Sequence, residues 1–383
     1  MAKIINLKIF KQFLKSGQVG GFLLLICVGV SLYIANSSAK DGFQTFLETR
    51  LGFEIANYSI LTWINDALMA VFFLLVGLEI KRELVEGELS SVKSAALPVI
   101  AALGGMLVPA IIYVIFNKNT PTASGWGIPM ATDIAFALAI IAMLGKNVPA
   151  GLKIFLAALA IVDDLGAILI IAIFYTNQIH FEYLAMAAAV VSLLFLMNYF
   201  GVKNLFFYLI PGVFLWYFIH HSGIHATIAG VLLAFTIPTN NTDVESPLEK
   251  LEHALTFPVN YLIMPIFALA NINITIEQNM FGGLTSSLGL GIIGGLFIGK
   301  TIGVTSFSWL AVKLKWAELP TSTNWKHVLG LAMLAGIGFT MSIFIALLSF
   351  NDDLHIAEAK FAILTASILS GVIGFIFLKT NKS

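Results

Sequence analysis

The chain has 383 residues, 58% of them hydrophobic and 11% charged, with a formal net charge of zero and a mean hydropathy of +0.93. Soluble domains are about 45–50% apolar and about 25% charged, so there is too little charge here to cover a water-facing surface. The balanced charge argues against a nucleic-acid partner, and a single cysteine, Cys27, excludes a disulfide framework or a cysteine metal site. What remains is an all-α integral membrane protein with the lipid bilayer as its solvent.

A membrane-spanning helix needs about 20 mostly apolar residues. Candidate spans begin near residues 20, 59, 95, 121, 150, 181, 204, 223, 254, 287, 327 and 357, which makes about twelve. The first follows Lys3, Lys8, Lys11 and Lys15 and runs from Gly20 to Ala35; "SSA" comes next and imitates a signal-peptide cleavage region. Later spans insert without cleavage, so the run is read as the first transmembrane helix. Residues 37–57, with "DGFQTF" and "RLGFEI", are too hydrophilic to span and suggest a small external hairpin. The stretches Leu205–Phe218 and Gly223–Ile237, around "HHSG", read either as two short helices or as one interrupted helix.

Basic residues orient the spans. With twelve of them, one side collects sixteen Lys and Arg residues, including the four N-terminal lysines, Lys81, Arg82, Lys93, Lys146, Lys379 and Lys382. The other side collects Lys40, Arg50, Lys118 and Lys360, and Lys300 stays inside a span. Both termini are therefore expected to be cytoplasmic.

Two spans are interrupted. "ASGWGIPMATDIAFALAII" carries Gly125, Gly127 and Pro129 ahead of Thr132 and Asp133, and "HVLGLAMLAGIGFTMSIFIALL" carries Gly330, Gly336 and Gly338. Proline removes a backbone donor and clustered glycines weaken a helix interior; at membrane depth, opened backbone is tolerated only inside protein or along a watery cavity. Close helix packing is the plainer account of either span alone. As a pair they are more telling, because each is the middle member of a three-span group, at about 95–176 and 287–378. The expected topology gives these groups opposite orientations, the pattern of inverted repeats that marks a transporter's binding site. The whole chain, 1–383, is read as one transporter domain.

Within the spans lie Asp66, Asp133, Asp163, Asp164 and Lys300. Each buried charge costs about 2.5–3.5 kcal/mol at mid-membrane. Any one of them is explained by a helix-packing ion pair, but two adjacent aspartates in "LAIVDDLGAIL" are not. Neighbouring helix positions point about 100° apart, so one carboxylate can face Lys300 while the other faces a cavity. That leaves a site of net charge −1, suited to a small cation. Burial and a like-charged neighbour both favour the protonated carboxyl, and the two aspartates titrate as a unit. Carboxylate, hydroxyl and carbonyl oxygens are the ligands of hard cations, so Asp163, Asp164 and Thr132 are the candidate cation and proton ligands.

The segments "FFLLVGLEIKREL", "GIPMATDIAFALA", "LAALAIVDDLGAI", "GGLFIGKTIGV" and "GIGFTMSIFIA" resemble the hallmark segments of the NhaA family of sodium/proton antiporters, in order and across nearly the whole chain. That family is itself a standard example of inverted repeats with broken helices. The resemblance implies an electrogenic exchange of cytoplasmic sodium or lithium for external protons, activated at alkaline pH, by alternating access in a bacterial inner membrane. It implies that Asp164 is the principal cation and proton carboxylate with Asp163 beside it, and that Thr132 lies at the site. Asp133 and Lys300 would balance the ends of the broken helices. Glu79, Arg82, Glu83, Glu252 and His253 would form the pH-regulating cluster. Members often carry a further histidine after the "LEH" step where this chain has Thr256, so the pH set-point is not carried over. His225 in "GIHATIAG" also matches. Monomer and homodimer both remain open.

Four other readings fit less well. Gly294–Thr301, "GGLFIGKT", satisfies the phosphate-loop pattern but lies in an apolar span, and no cofactor is implied. A carrier of an organic anion would want more core cations than Lys300. An intramembrane aspartyl protease needs carboxylates facing each other from different helices, which Asp163 with Asp164 cannot supply; Asp133 with Asp164 could, but nothing in the sequence places a scissile peptide, so no enzyme is expected. A passive channel lacks visible pore-lining rings.

Overall fold

The computed structural model describes residues 7–53, 56–145, 148–176, 178–240, 245–276 and 280–381. Of the residues used above to orient the chain, Lys3, Lys146 and Lys382 lie outside them. In chain order the helices are α1 (Leu7–Ala35), α2 (Lys40–Glu48), α3 (Ile60–Val85), α4 (Val92–Asn117), α5 (Ile134–Met143), α6 (Ala150–Phe174), α7 (Phe181–Tyr199), α8 (Phe206–Ser222), α9 (Ile228–Thr236), α10 (Pro247–Ile272), α11 (Ser287–Lys313), α12 (Trp325–Ala335), α13 (Phe339–Ser349) and α14 (Asp353–Thr380). A 3₁₀ helix, Ala123–Met130, precedes α5. The segment between α1 and α3 holds α2 and a two-residue antiparallel pairing of β1 (Arg50–Leu51) with β2 (Tyr58–Ser59).

Among the described residues, eight helices are long and apolar enough to cross a membrane, or up to ten if each of two bent helix pairs counts as a span. This supports an all-α membrane protein. It also shows where the sequence estimate of about twelve is thinnest: α8 has 17 residues and α9 only 9. These two are separate helices. Gly223 ends α8 with φ +87°, and a Cβ there would lie 2.0 Å from the carbonyl oxygen of Gln178, so only glycine makes this stop without strain. Polar caps set other boundaries. Ser246 and Glu249 form a reciprocal capping box at the start of α10, with Pro247 in the first turn, where a missing N–H costs nothing.

The chain falls into two compact units. One comprises residues up to Leu32, Val92–Ala167 and those from Ile274 onward; the other comprises Tyr33–Ser91 and Ile168–Asn273. In the first, α4 and α11 touch backbone to backbone: a Cβ on Gly104 would lie 2.3 Å from the Gly303 oxygen, and one on Gly303 would lie 2.1 Å from the Gly104 oxygen. Small residues allow such an approach in lipid, where packing rather than water exclusion holds helices together. Gly303→Leu is therefore expected to destabilise the protein by roughly 1–3 kcal/mol or more through overpacking, read as a lower thermal midpoint in detergent. In the second unit α3, α8 and α9 pack through Leu74, Leu78, Leu215 and Leu233.

Candidate functional site

The two interrupted spans meet at their breaks. Gly125, Gly127 and Pro129 suit a tight 3₁₀ turn better than an α-helix, and the chain then runs extended through Ala131 before α5 begins. On the other side α12 ends at Ala335 and α13 starts at Phe339, the pair bent by 45°. The backbone groups freed by each break are satisfied by the other. Asp133 N donates to Ile337 O at 2.7 Å. Thr132 Oγ1 reaches Ala335 O at 2.9 Å, and Ser342 Oγ donates to Ile128 O at 2.8 Å. This exchange answers the demand that buried backbone donors and acceptors be paired.

Asp133 caps both second halves. Its Oδ1 accepts from Phe136 N at 2.9 Å at the start of α5, and its Oδ2 accepts from Thr340 N at 3.2 Å and from Thr340 Oγ1 at 2.5 Å at the start of α13. A carboxylate placed there faces the positive ends of two helix dipoles. Asp133→Ala is expected to cost about 1–2 kcal/mol as a lost cap, with Asp133→Asn recovering only the part that its single amide oxygen can cap, as read by thermal denaturation in detergent.

Beside the crossing, α6 presents Asp163 and α11 presents Lys300, both fully buried. Three residues form a closed group. Lys300 Nζ donates to Asp163 Oδ2 and to Thr132 Oγ1 at 2.5 Å. Thr132 Oγ1 lies 2.7 Å from the same Asp163 oxygen. The threonine hydroxyl has one proton, so it accepts from Lys300 and donates either to Asp163 or to Ala335 O. Asp163 Oδ1 is buried and accepts no hydrogen bond among the described residues. Asp164, the next residue on α6, is buried as well, with 1% of its surface exposed. Lys300 is the one buried lysine or arginine among the described residues, so two carboxylates of α6 stand against one ammonium. Gly294–Gly299, just before Lys300, is wound as a π-helix, a local irregularity frequent at functional sites.

The expected regulatory residues occupy the other unit. Arg82 bridges Glu252 at 2.5 Å and Glu83 at 3.1 Å, and Glu79 lies within electrostatic reach of all three. His253 faces outward and pairs with Glu245 at 2.9 Å, both well exposed. Thr256 turns its hydroxyl back onto Glu252 O at 2.7 Å. Outside the spans, burial and the neighbouring Glu83 raise Glu88 above the ordinary carboxylate range.

Sequence reasoning named Asp66 and His225 separately and did not bring them together as a second titratable group in this same unit. Asp66 lies 3.4 Å from His220 and 3.7 Å from His225. Tyr58 hydroxyl contacts His221 at 3.3 Å, and Trp216 stacks between Trp63 and His220. The "HHSG" step reads locally as a helix end, and nothing in the sequence ties it to an aspartate 154 positions earlier.

A family model described as Na+/H+ antiporter 1 matches residues 11–378. Over the full length of this chain and 95% of its own, the relative named Na(+)/H(+) antiporter NhaA 2 of Flavobacterium johnsoniae is 65% identical. Na(+)/H(+) antiporter NhaA 1 of Klebsiella pneumoniae subsp. pneumoniae is 49% identical over 98% of this chain and 97% of its own. Na(+)/H(+) antiporter NhaA of Flavobacterium psychrophilum is 50% identical over 97% and 96%.

Proposed function

Because the chain belongs to the Na+/H+ antiporter 1 family, we propose that it exchanges cytoplasmic sodium or lithium for external protons at the buried aspartates of α6. The observation that carries this reading is the charge count beside the helix crossing: Asp163 and Asp164 against Lys300, with Thr132 supplying a hydroxyl. An ammonium paired with one carboxylate leaves a net −1 for a monovalent cation. Oxygen ligands suit sodium and lithium, and the cation takes the place of two protons, one on the Asp164 carboxyl and one on Lys300, whose ammonium gives up its hold on Asp163. Asp164 is the principal ligand. Asp163 exchanges its partner, held by Lys300 when the cation is absent and released to the cation when it binds.

More protons than sodium ions cross in each cycle, so the exchange is electrogenic. The two helix breaks, tied to each other and to Asp133, form the element that rearranges as the site opens to alternate sides. Alkaline pH switches exchange on through Glu79, Arg82, Glu83, Glu252 and His253, in which loss of protons redistributes charge around Arg82. The protein works in a bacterial inner membrane with both termini cytoplasmic, the side favoured by the basic residues.

Acid-interior vesicles carrying the protein and a pH-sensitive dye test the exchange. Sodium and lithium are expected to dissipate the gradient, more strongly at alkaline pH and faster when a permeant ion relieves the membrane potential; potassium is expected to leave it intact. Correctly inserted protein that responds to none of these cations at any pH would refute the assignment.

A further inference from the structure

A cavity of about 460 Å³ lies within one unit, enclosed by α1, α5, α13 and α14. It is separate from the aspartate group, and no transport step requires it. Its walls are apolar side chains such as Leu25, Phe136, Met143, Phe339 and Val372. The one polar wall residue, Ser367, spends its oxygen on Phe339 N at 3.1 Å. A polar metabolite would need convergent hydrogen-bonding groups, and none are offered. Water is no better served, because apolar cavities stay dry.

The cavity opens sideways, where Leu25, Met143, Ile368, Val372 and Ile376 are each more than half exposed. On membrane-spanning helices that opening faces hydrocarbon. Its lining on α14 runs from Leu364 to Ile376, about 18 Å at 1.5 Å per residue. One leaflet of a hydrocarbon core of about 30 Å is about 15 Å deep, so the length fits one chain of one leaflet. Phe375 stands near the far end of the lining, and Lys379 Nζ sits 5.7 Å from the centre of its ring. An ammonium thus stands one turn beyond the cavity, on the side where basic residues gather.

We propose that this cavity is a binding site for one acyl chain of a bilayer phospholipid whose phosphate is held by Lys379. Moving a chain from bulk lipid into the cavity gains no hydrophobic free energy; the gain is the dispersion contact that the cavity walls otherwise lack. Occupancy is consequently modest in affinity and selective by shape. The chain packs directly against Phe136 and Phe339, whose rings lie 5.2 Å apart in an edge-to-face pair and whose backbones flank the two helix breaks.

The test uses the whole protein in vesicles of phosphatidylethanolamine and phosphatidylglycerol, with a trace of phosphatidylethanolamine bearing a photoreactive diazirine in its acyl chain. Mass spectrometry of the labelled protein is expected to find adducts concentrated in Phe136–Met143 and Leu364–Ile376, above those at the lipid-facing Ile115 and Ile173. Val372→Trp, or Ile368→Trp should the first fail to fold, is expected to lower cavity labelling roughly fivefold without changing Ile115, a modest factor because both media are apolar. Lys379→Gln is expected to weaken labelling by the phospholipid and to leave labelling by a photoreactive diacylglycerol unchanged. Labelling of the cavity no higher than at Ile115, or unaltered by the tryptophan variants, would overturn the site. Equal capture of phospholipid and diacylglycerol by the wild type would overturn the role of Lys379.

Discussion

Asp164→Asn is expected to abolish sodium- and lithium-driven proton movement while leaving the protein folded. The substitution keeps the volume of the side chain and removes one negative charge from a group that holds two carboxylates against Lys300. The site then has no net charge for a cation to neutralise, and its acidic proton is gone as well. A unit charge about 4 Å away is worth about 4 kcal/mol at an effective dielectric of 20, or roughly a thousandfold in affinity. Flux in proteoliposomes should fall to the level of empty vesicles at every pH, with the thermal midpoint near the wild-type value. A variant retaining even a tenth of wild-type flux would mean that Asp164 is not the principal ligand.

The second large effect concerns stability. Lys300→Ala is expected to destabilise the protein by about 3–5 kcal/mol, because it leaves the Asp163 carboxylate buried without its counter-charge. Both partners of that pair are fully buried, so solvent cannot take over the lost role. Asp163→Asn in the Lys300→Ala background should restore most of the loss, since removing both charges of a buried pair is often nearly neutral. Denaturant unfolding in detergent across the two single variants and the double variant measures this coupling. Purely additive losses would show that the ion pair contributes nothing beyond its two separate side chains.

Much of the candidate site was legible from residue types alone. Two adjacent aspartates in an apolar run are costly wherever they sit, and Gly125, Gly127, Pro129, Gly336 and Gly338 mark the breaks without any knowledge of their neighbours. The pairings across the breaks were not legible. Thr132 and Asp133 meet Ala335, Ile337 and Thr340 some 200 residues away, and local sequence carries no record of that distance. Likewise Gly125, Gly127 and Pro129 mark the leading half of the first broken span as irregular without specifying that it winds as a 3₁₀ helix. Span counting weakened where apolar stretches were short, at α8 and α9, because length and hydropathy are its only inputs. His253 illustrates a different limit: the family resemblance groups it with Glu252, and local sequence does not tell that its side chain also pairs with Glu245.

The central claim is that one buried carboxyl group holds either a proton or sodium. Proton release on sodium addition to the detergent-solubilised protein, followed with an indicator dye in lightly buffered solution, tests it most directly. The account predicts saturable release from the wild type that lithium reproduces, potassium does not, and Asp164→Asn abolishes. Sodium binding detected by calorimetry without any accompanying proton release would contradict it.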